Sequence, residues 1–450
     1  MNDSLISIST LDGRYGEQLK ELSEYVSEYS LIKLRVLIET EYIIALSDKK
    51  IIRGLSKKEK NYLRNLSSDF SLKDAIEVKK IERDTINDVK SVEIYLRKIF
   101  LKTSLKDTVE YIHFGLTSDD INNIAFRLMV KISTSKVIIP ILKKILKDLD
   151  ISAKKYKKIV ILARTHGQPA VPTTFGKEFA VFRNRLNKEI INLKNQKLSG
   201  KLNGAVGNFN SLYFVYPTIN WTTFSKEFIS SFGLTPNLVT TQINPFEDVI
   251  SLFQNLQRIN GVLLDFDQDM WRYISDAWLK YKVAEKEIGS STMPQKLNPI
   301  NFENSEGNLV LGNGLMQTMI DKLYLSRLQR DLSNSTVIRN LGSVFGYCLL
   351  GYKNCLSGIT KIDINSRQIE IDLNKDWSIL TEALQTYLRK IGFENSYYFV
   401  SKLSKGSKLD RDSWIEIIKN LPINKTHKDI LLTLTPKNYI GLAEKLADMD

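Results

Sequence analysis

Residues 250–278, ISLFQNLQRINGVLLDFDQDMWRYISDAW, decide the fold. Leu252, Leu256, Ile259, Leu263, Phe266, Met270, Tyr273 and Ala277 recur at alternating steps of four and three. That is the helical period, not the two-residue alternation of a half-buried strand. At 1.5 Å per residue the spacing predicts a helix about 40 Å long, continuing toward about residue 285. Val262, Leu264, Trp271, Ile274 and Trp278 lie off that seam, so more than one face is apolar. Such a helix is buried among other helices, in a bundle or at a subunit interface.

The prolines extend this reading outward. None precedes Pro140, and none falls between Pro299 and Pro422. A helix interior excludes proline at a cost of about 3 kcal/mol, so these stretches permit long helices. Residues 120–160 form one, with a kink at Pro140, and 175–197, 305–326 and 335–360 read the same way. Gly200, Gly204, Gly207, Pro217 and Pro236 mark 198–245 as a loop-rich excursion with short helices. The predicted fold is all-α, in three helical domains. Shorter helices fill 1–111 and 365–450, and a central long-helix bundle spans 112–364.

Composition agrees. The 450 residues are 43% hydrophobic and 26% charged, with only 10 prolines and 22 glycines, which excludes collagen-like and disordered classes. No apolar run approaches the roughly 20 residues of a membrane span. The opening MNDSLISISTLDGRYG lacks the basic and apolar regions of a secretory signal. Cys348 and Cys355, seven apart, suit one helix face and offer neither a disulfide framework nor a metal cluster. A reduced, cytoplasmic protein is expected. The net charge of +13 comes from lysines spread along the whole chain, without zinc-finger spacing or an aromatic RNA-recognition signature. A solvated lysine-rich surface accounts for it, and neither nucleic acid nor membrane is an expected partner.

Three polar clusters interrupt the helices. In Gly115-Leu116-Thr117-Ser118-Asp119-Asp120, Thr117 or Ser118 suits the N-cap of the next helix, with Asp119 or Asp120 in its first turn. Capping explains half of this motif; the same hydroxyls and N–H groups suit a bound carboxylate or phosphate. The second cluster is Ala163-Arg164-Thr165-His166-Gly167-Gln168, read as a break between helices. His166 is the histidine placed for proton transfer there. His113, between Ile112 and Phe114, reads as structural, and His427, in a lysine-rich stretch, as a surface residue. The third cluster, Gly289 to Pro299, sets Ser290, Ser291, Lys296 and Asn298 in a proline-bounded loop. Lysine and loop N–H groups suit a carboxylate on which charge develops. No Rossmann or P-loop glycine motif and no metal-ligand spacing is present, so neither cofactor nor metal is expected.

Ser290-Ser291-Thr292-Met293-Pro294-Gln295-Lys296-Leu297-Asn298-Pro299 resembles the signature loop of the fumarase/aspartase superfamily, and the other two clusters resemble its remaining signature regions. Asp12-Gly13-Arg14-Tyr15, Thr240-Thr241-Gln242, Ser326 to Asp331 and Ser335 to Asn340 narrow the resemblance to the bacterial adenylosuccinate lyase family, almost end to end. The resemblance implies a homotetramer with each active site shared among three subunits. It implies cofactor-free release of fumarate from a succinylated purine nucleotide and from the succinyl-carboxamide ribotide of the purine pathway. By the same resemblance His166 is the general acid and Ser290 the general base. Lys296 and Asn298 hold carboxylates. Arg14, Tyr15, Arg330, Ser335 and Arg339 contact the nucleotide and phosphate, and Thr117, Ser118 and Gln242 the succinyl side.

One segment departs from the family. Thr85-Ile86-Asn87-Asp88 stands where the family reads Thr-Asn-His-Asp, so a substrate-contacting histidine is replaced by Asn87, beside Asp88. Asn87 still donates and accepts hydrogen bonds but carries no proton or charge. Activity is expected to survive with His166 and Ser290 in the chemical roles. Argininosuccinate lyase or fumarase would share the Ser290 loop; Arg14-Tyr15 and the Arg330–Arg339 segment disfavour them. A basic helical nucleic-acid scaffold is the alternative from another class, and it would bind with strong salt dependence.

Overall fold

A computed structural model describes residues 3–282, 292–293, 295–404 and 408–449. The described chain is overwhelmingly helical, with six short strands in three two-stranded pairs, so the all-α class holds. It forms two compact units. One comprises Met1–Leu142, Glu189–Asn260 and Gly307–Gly351; the other comprises Lys143–Lys188, Gly261–Glu306 and Tyr352–Asp450. Among the described residues no helix is long and apolar enough to cross a membrane.

The first unit is organised by the helix Glu28–Asp48. Its stretch LIKLRVLIETEYIIAL, residues 31–46, is apolar on nearly every side, and Ile32, Val36, Ile38, Tyr42 and Leu46 are at most 1% exposed. Helices Lys57–Ser68 and Ser118–Ser133 pack on it. The short helices start where the sequence supplies caps. Ser56 with Glu59 and Ser71 with Asp74 close reciprocal capping boxes at Lys57–Ser68 and Leu72–Thr85. The excursion at 198–245 is as expected: helices Asn210–Val215 and Trp221–Ser231, and a two-residue parallel pairing of Ser199–Gly200 with Thr235–Pro236.

The helical path continues through Pro140 rather than ending there. Helix Ser118–Ser133 passes into one π-helical turn, Thr134–Ile138, before Ile139–Lys155 resumes α geometry. Proline lacks the N–H that an α-helix would direct at the carbonyl four residues back, and the wider turn takes up the mismatch.

The predicted seam is buried. Leu252, Leu256, Ile259, Leu263, Phe266 and Met270 are at most 2% exposed. The helix stops earlier than its period implied, however, at Ser275. Ala277 adopts a left-handed conformation with φ 59°, and Leu279–Tyr281 leaves as a strand paired with Ile362–Ile364. In the second unit the seam meets an aromatic cluster. Phe175 meets Tyr273 edge-on with centroids 5.1 Å apart, and Phe182 meets Phe266 at 5.2 Å. Cys348 and Cys355 are both buried free thiols on the helix Leu341–Lys361.

Candidate active site

His166 does not lie in a simple break between helices, as its sequence context implied. It lies at the tip of an antiparallel hairpin, Val160–Thr165 with Gln168–Thr174, in the second unit. Thr165 pairs with Gln168, so His166 and Gly167 alone make the turn, with φ 53° and 74°. Two consecutive left-handed residues are what a two-residue hairpin needs to match strand twist. Glycine accepts this freely, while a side chain there costs about 1–2 kcal/mol. The rest of the hairpin holds the tip in place. Ile161 and Leu162 are buried, and the Arg164 guanidinium lies over Trp278 at 5.6 Å and 3.7 Å from Asp276. The second strand runs into helix Phe175–Lys194 through Gly176. A Cβ on Gly176 would stand 2.4 Å from both Ala153 O and Lys157 Cα, so only glycine lets this backbone approach. The His166 side chain itself is exposed.

Lys296 is exposed and Asn298 half-buried in the segment leading into helix Ile300–Leu323. The Lys296 N–H donates to Met293 O at 3.0 Å. Ser290, the expected base, lies outside the described residues.

The first unit holds the remaining predicted residues. Thr117 occupies the N-cap position of Ser118–Ser133, and the Asp120 carboxylate accepts its N–H at 2.9 Å, as the capping reading requires. Asp120 does more than cap. It accepts N–H bonds from Asn203 at 3.0 Å and Gly204 at 3.1 Å, and pairs with Lys201 at 3.1 Å. This ties the Thr117-Ser118 turn to the 201–207 loop. Gly207, with φ 81°, lets that loop lie against the next segment, because a Cβ there would reach within 2.1 Å of Thr240 O. Gln242 bridges the same two segments and a third. Its Nε2 donates to Ala205 O at 2.9 Å, and its Oε1 accepts Arg330 Nη1 at 3.2 Å. Arg330, Ser335, Asp119 and Asn122 line a small cavity beside it.

A second cluster surrounds Arg339. Its Nη2 lies 2.5 Å from Asp88 Oδ2, and its Nη1 lies 3.5 Å from Glu28 Oε2. The same Asp88 oxygen meets the buried Arg35 at 2.5 Å. Burial alone would raise the Asp88 carboxyl, but the two guanidiniums outweigh it and hold the group below the usual carboxylate range. Asn87 caps helix Asp88–Phe100, its side chain accepting the Lys90 N–H at 2.9 Å. Arg14 and Tyr15 precede helix Gly16–Val26, with the Arg14 guanidinium 5.8 Å from the Tyr15 ring centre. Their neighbours Asp12 and Gly16 line a groove with Arg339.

The structure thus joins Asp88 to Arg339 and Gln242 to Arg330, and places Ser335 beside Arg330. Arg35 and Lys201 were missed as site-shaping residues, and Asp120 was read only as a first-turn capping residue. Their signal was available for Arg35 alone: a lone arginine inside an apolar run must find a partner. Of the other histidines, His113 has the structural surroundings expected of it, while His427 is less exposed than the surface position expected. His113 Nδ1 lies 2.6 Å from Glu39 Oε1; burial depresses its imidazolium, but the Glu39 charge prevails and raises the pKa. His427, half-buried, lies 3.0 Å from the Tyr387 hydroxyl.

Known proteins are similar to this chain along its length. The family described as Lyase matches residues 13–313, which sets the class of enzyme. The family described as Adenylosuccinate lyase C-terminal matches 326–440. The chain is 42% identical to an adenylosuccinate lyase of Buchnera aphidicola from Schizaphis graminum, over 99% of both chains. It is 40% identical to that of Escherichia coli K12, over 99% of this chain and 98% of the relative. The chain belongs to the adenylosuccinate lyase family. Among solved structures, a fumarate lyase from Mesorhizobium sp. BNC1 shares the fold with TM-score 0.77 at 16% identity, covering 95% of this chain and 96% of that one. A 3-carboxy-cis,cis-muconate lactonizing enzyme from Pseudomonas putida does so with TM-score 0.72 at 18% identity, covering 95% of each.

Proposed function

We propose that this chain eliminates fumarate from adenylosuccinate, leaving AMP, and from the succinyl-carboxamide ribotide, leaving the carboxamide ribotide, as an enzyme of purine nucleotide synthesis. The observation that carries this reading is the end-to-end identity with enzymes of that name, spanning every segment that holds a predicted site residue.

In this reading Ser290 takes the proton from the carbon beside the departing nitrogen's carbon, and the electron pair is delocalised into the neighbouring carboxylate. Lys296 and Asn298 bind that carboxylate as it gains charge. The C–N bond then breaks, its electrons pass to the nitrogen, and His166 supplies the proton. A neutral serine hydroxyl is far too weak a base, so Ser290 can act only if its alkoxide is stabilised by the groups that bind the carboxylate. Well-placed acid and base groups contribute about 10²–10⁴-fold each. Thr117, Ser118 and Gln242 hold the succinyl end. Arg14, Tyr15, Arg330, Ser335 and Arg339 hold the nucleotide, with the arginines suited to a phosphate through paired N–H donors. Asn87 and Asp88 complete that side.

A homotetramer whose sites draw on three subunits fits this assignment. It gives the exposed His166 tip a surface to meet, and it gives Val310 and Leu311, more than half exposed on helix Ile300–Leu323, a partner. Residence in the cytoplasm agrees with the two buried free thiols. The test is fumarate appearance with adenylosuccinate, the succinyl-carboxamide ribotide and argininosuccinate offered in turn. Turnover of the first two but not the third is expected; turnover of argininosuccinate alone would overturn the assignment.

A further inference from the structure

Arg35 is charged, central and without a role in the chemistry above. It sits mid-helix in Glu28–Asp48 with no solvent exposure, flanked by Leu34 and Val36. Its Nη2 meets Asp88 Oδ2 at 2.5 Å and its Nε donates to Asn122 Oδ1 at 2.8 Å. Among the described residues its Nη1, which is buried, has no hydrogen-bond partner. A guanidinium left partly unsatisfied in a core is a poor stabiliser, since desolvation opposes it and hydrophobic side chains of similar volume would pack there at less cost.

What Arg35 touches gives it a use. At one end Asp88 shares its Oδ2 between Arg35 and Arg339. At the other end Asn122 lines the small cavity of Arg330 and Ser335. Arg35 therefore links the two groups of nucleotide-side residues from beneath. We propose that Arg35 is a positioning residue for the substrate phosphate: it holds Asp88 from the buried side, so that Arg339 exchanges Asp88 for phosphate, and it fixes the Asn122 amide at the Arg330 cavity. This rests on the reading of Arg339 as a phosphate contact.

The physical basis is competition. Asp88 and Glu28 both attract Arg339, and a phosphate must displace them. While Arg35 neutralises part of the Asp88 charge, that displacement is easy. Without Arg35, Arg339 is the one cation paired with Asp88 among the described residues, and the arginine stays with the protein's own carboxylate. Binding weakens while the elimination step is untouched, because Arg35 reaches no reacting atom.

The experiment is steady-state kinetics on adenylosuccinate, with AMP as competitive inhibitor, for Arg35→Met, Arg339→Met and the double variant. Each single change is expected to raise KM and the AMP inhibition constant about tenfold or more, with kcat within about threefold. The double variant is expected to lose less than the product of the two single effects, because the part of Arg35's action that passes through Asp88 runs through Arg339. Should Arg35→Met fail to fold, Arg35→Lys replaces it: an ammonium lacks the planar fork whose Nε meets Asn122 and whose Nη2 meets Asp88, so KM is still expected to rise about tenfold with kcat retained. Wild-type KM in the Arg35 variant, or single effects that multiply in the double, would overturn the proposal. An unchanged KM in Arg339→Met alone would instead overturn the phosphate reading on which it rests.

Discussion

Asp120 and Lys201 form an ion pair in which neither side chain is exposed, with 3.1 Å between Oδ1 and Nζ. The carboxylate also receives N–H groups from Thr117, Asn203 and Gly204, and the ammonium donates to Gly204 O at 3.0 Å. Every partner belongs to the turn of Thr117-Ser118 or to the loop that Gln242 braces. The pair is the fixed point beneath the succinyl-side residues, and its satisfaction by backbone groups is what makes burying two charges tolerable.

Lys201→Met leaves the Asp120 charge buried with N–H partners only. A loss of about 3 kcal/mol in unfolding free energy is expected, within the range for breaking a buried pair. Denaturant titration of the purified variant checks it, and a loss below about 1 kcal/mol would mean that the three N–H groups suffice.

Gly176→Ala places a methyl group 2.4 Å from two backbone positions of the preceding helix and its exit. No side-chain rotation relieves this, so the hairpin carrying His166 must shift. A stability loss of about 1–3 kcal/mol is expected, with a fall in kcat larger than any rise in KM. Thermal unfolding and steady-state kinetics on the same preparation separate the two effects.

Ile86 closes helix Leu72–Thr85 in the left-handed region, with φ 52°, while 92% exposed. A β-branched residue is disfavoured there, and asparagine, which the sequence resemblance implies at that position, is tolerated. Ile86→Asn is expected to stabilise the protein by about 1 kcal/mol. Asn87→His is expected to cost about 0.5–1 kcal/mol, because histidine replaces an N-cap. It is also expected to alter turnover less than tenfold, if His166 and Ser290 do the chemistry. A gain of several orders of magnitude would contradict that division of labour.

The Glu39 carboxylate raises the pKa of His113 above its ordinary 6.5. A group whose folded value is raised contributes stability that is complete below its unfolded value, about 6.5, and is lost as pH climbs through the raised folded one. Wild-type protein is therefore expected to lose this contribution as pH rises through that raised value. His113→Gln is expected to be destabilised more at pH 6 than at pH 9. Equal destabilisation at both pH values would mean that the imidazolium contributes nothing.

Much of this was legible in the residue order. The step from Leu252 to Met270 is a burial pattern, and burial is what helical periodicity encodes, so the long buried helix followed. Its end was not legible, because Ala277 keeps the period while its backbone turns left-handed at the start of a strand pair closed by Ile362–Ile364. The hairpin was legible in principle: VILARTHGQPAVPTT sets branched residues on either side of a His-Gly pair. Two prolines in its second strand mask that signal, since proline removes a ladder donor. The site splits the same way. Thr117 was readable as a cap, because a cap is local. The links from Asp88 to Arg35 and from Asp120 to Lys201 join residues 53 and 81 positions apart along the chain, and only folding brings them together.

The central claim is that Ser290 and His166 carry out an elimination that releases fumarate. The most direct measurement is the rate of fumarate release from adenylosuccinate by wild-type protein, by Ser290→Ala and by His166→Gln, each at saturating substrate. Robust wild-type turnover, a fall of about 10²–10⁴-fold in both variants and retained AMP binding are predicted. Fumarate release at wild-type rate by either variant would remove that residue from the chemistry, and no release by the wild type would contradict the account as a whole.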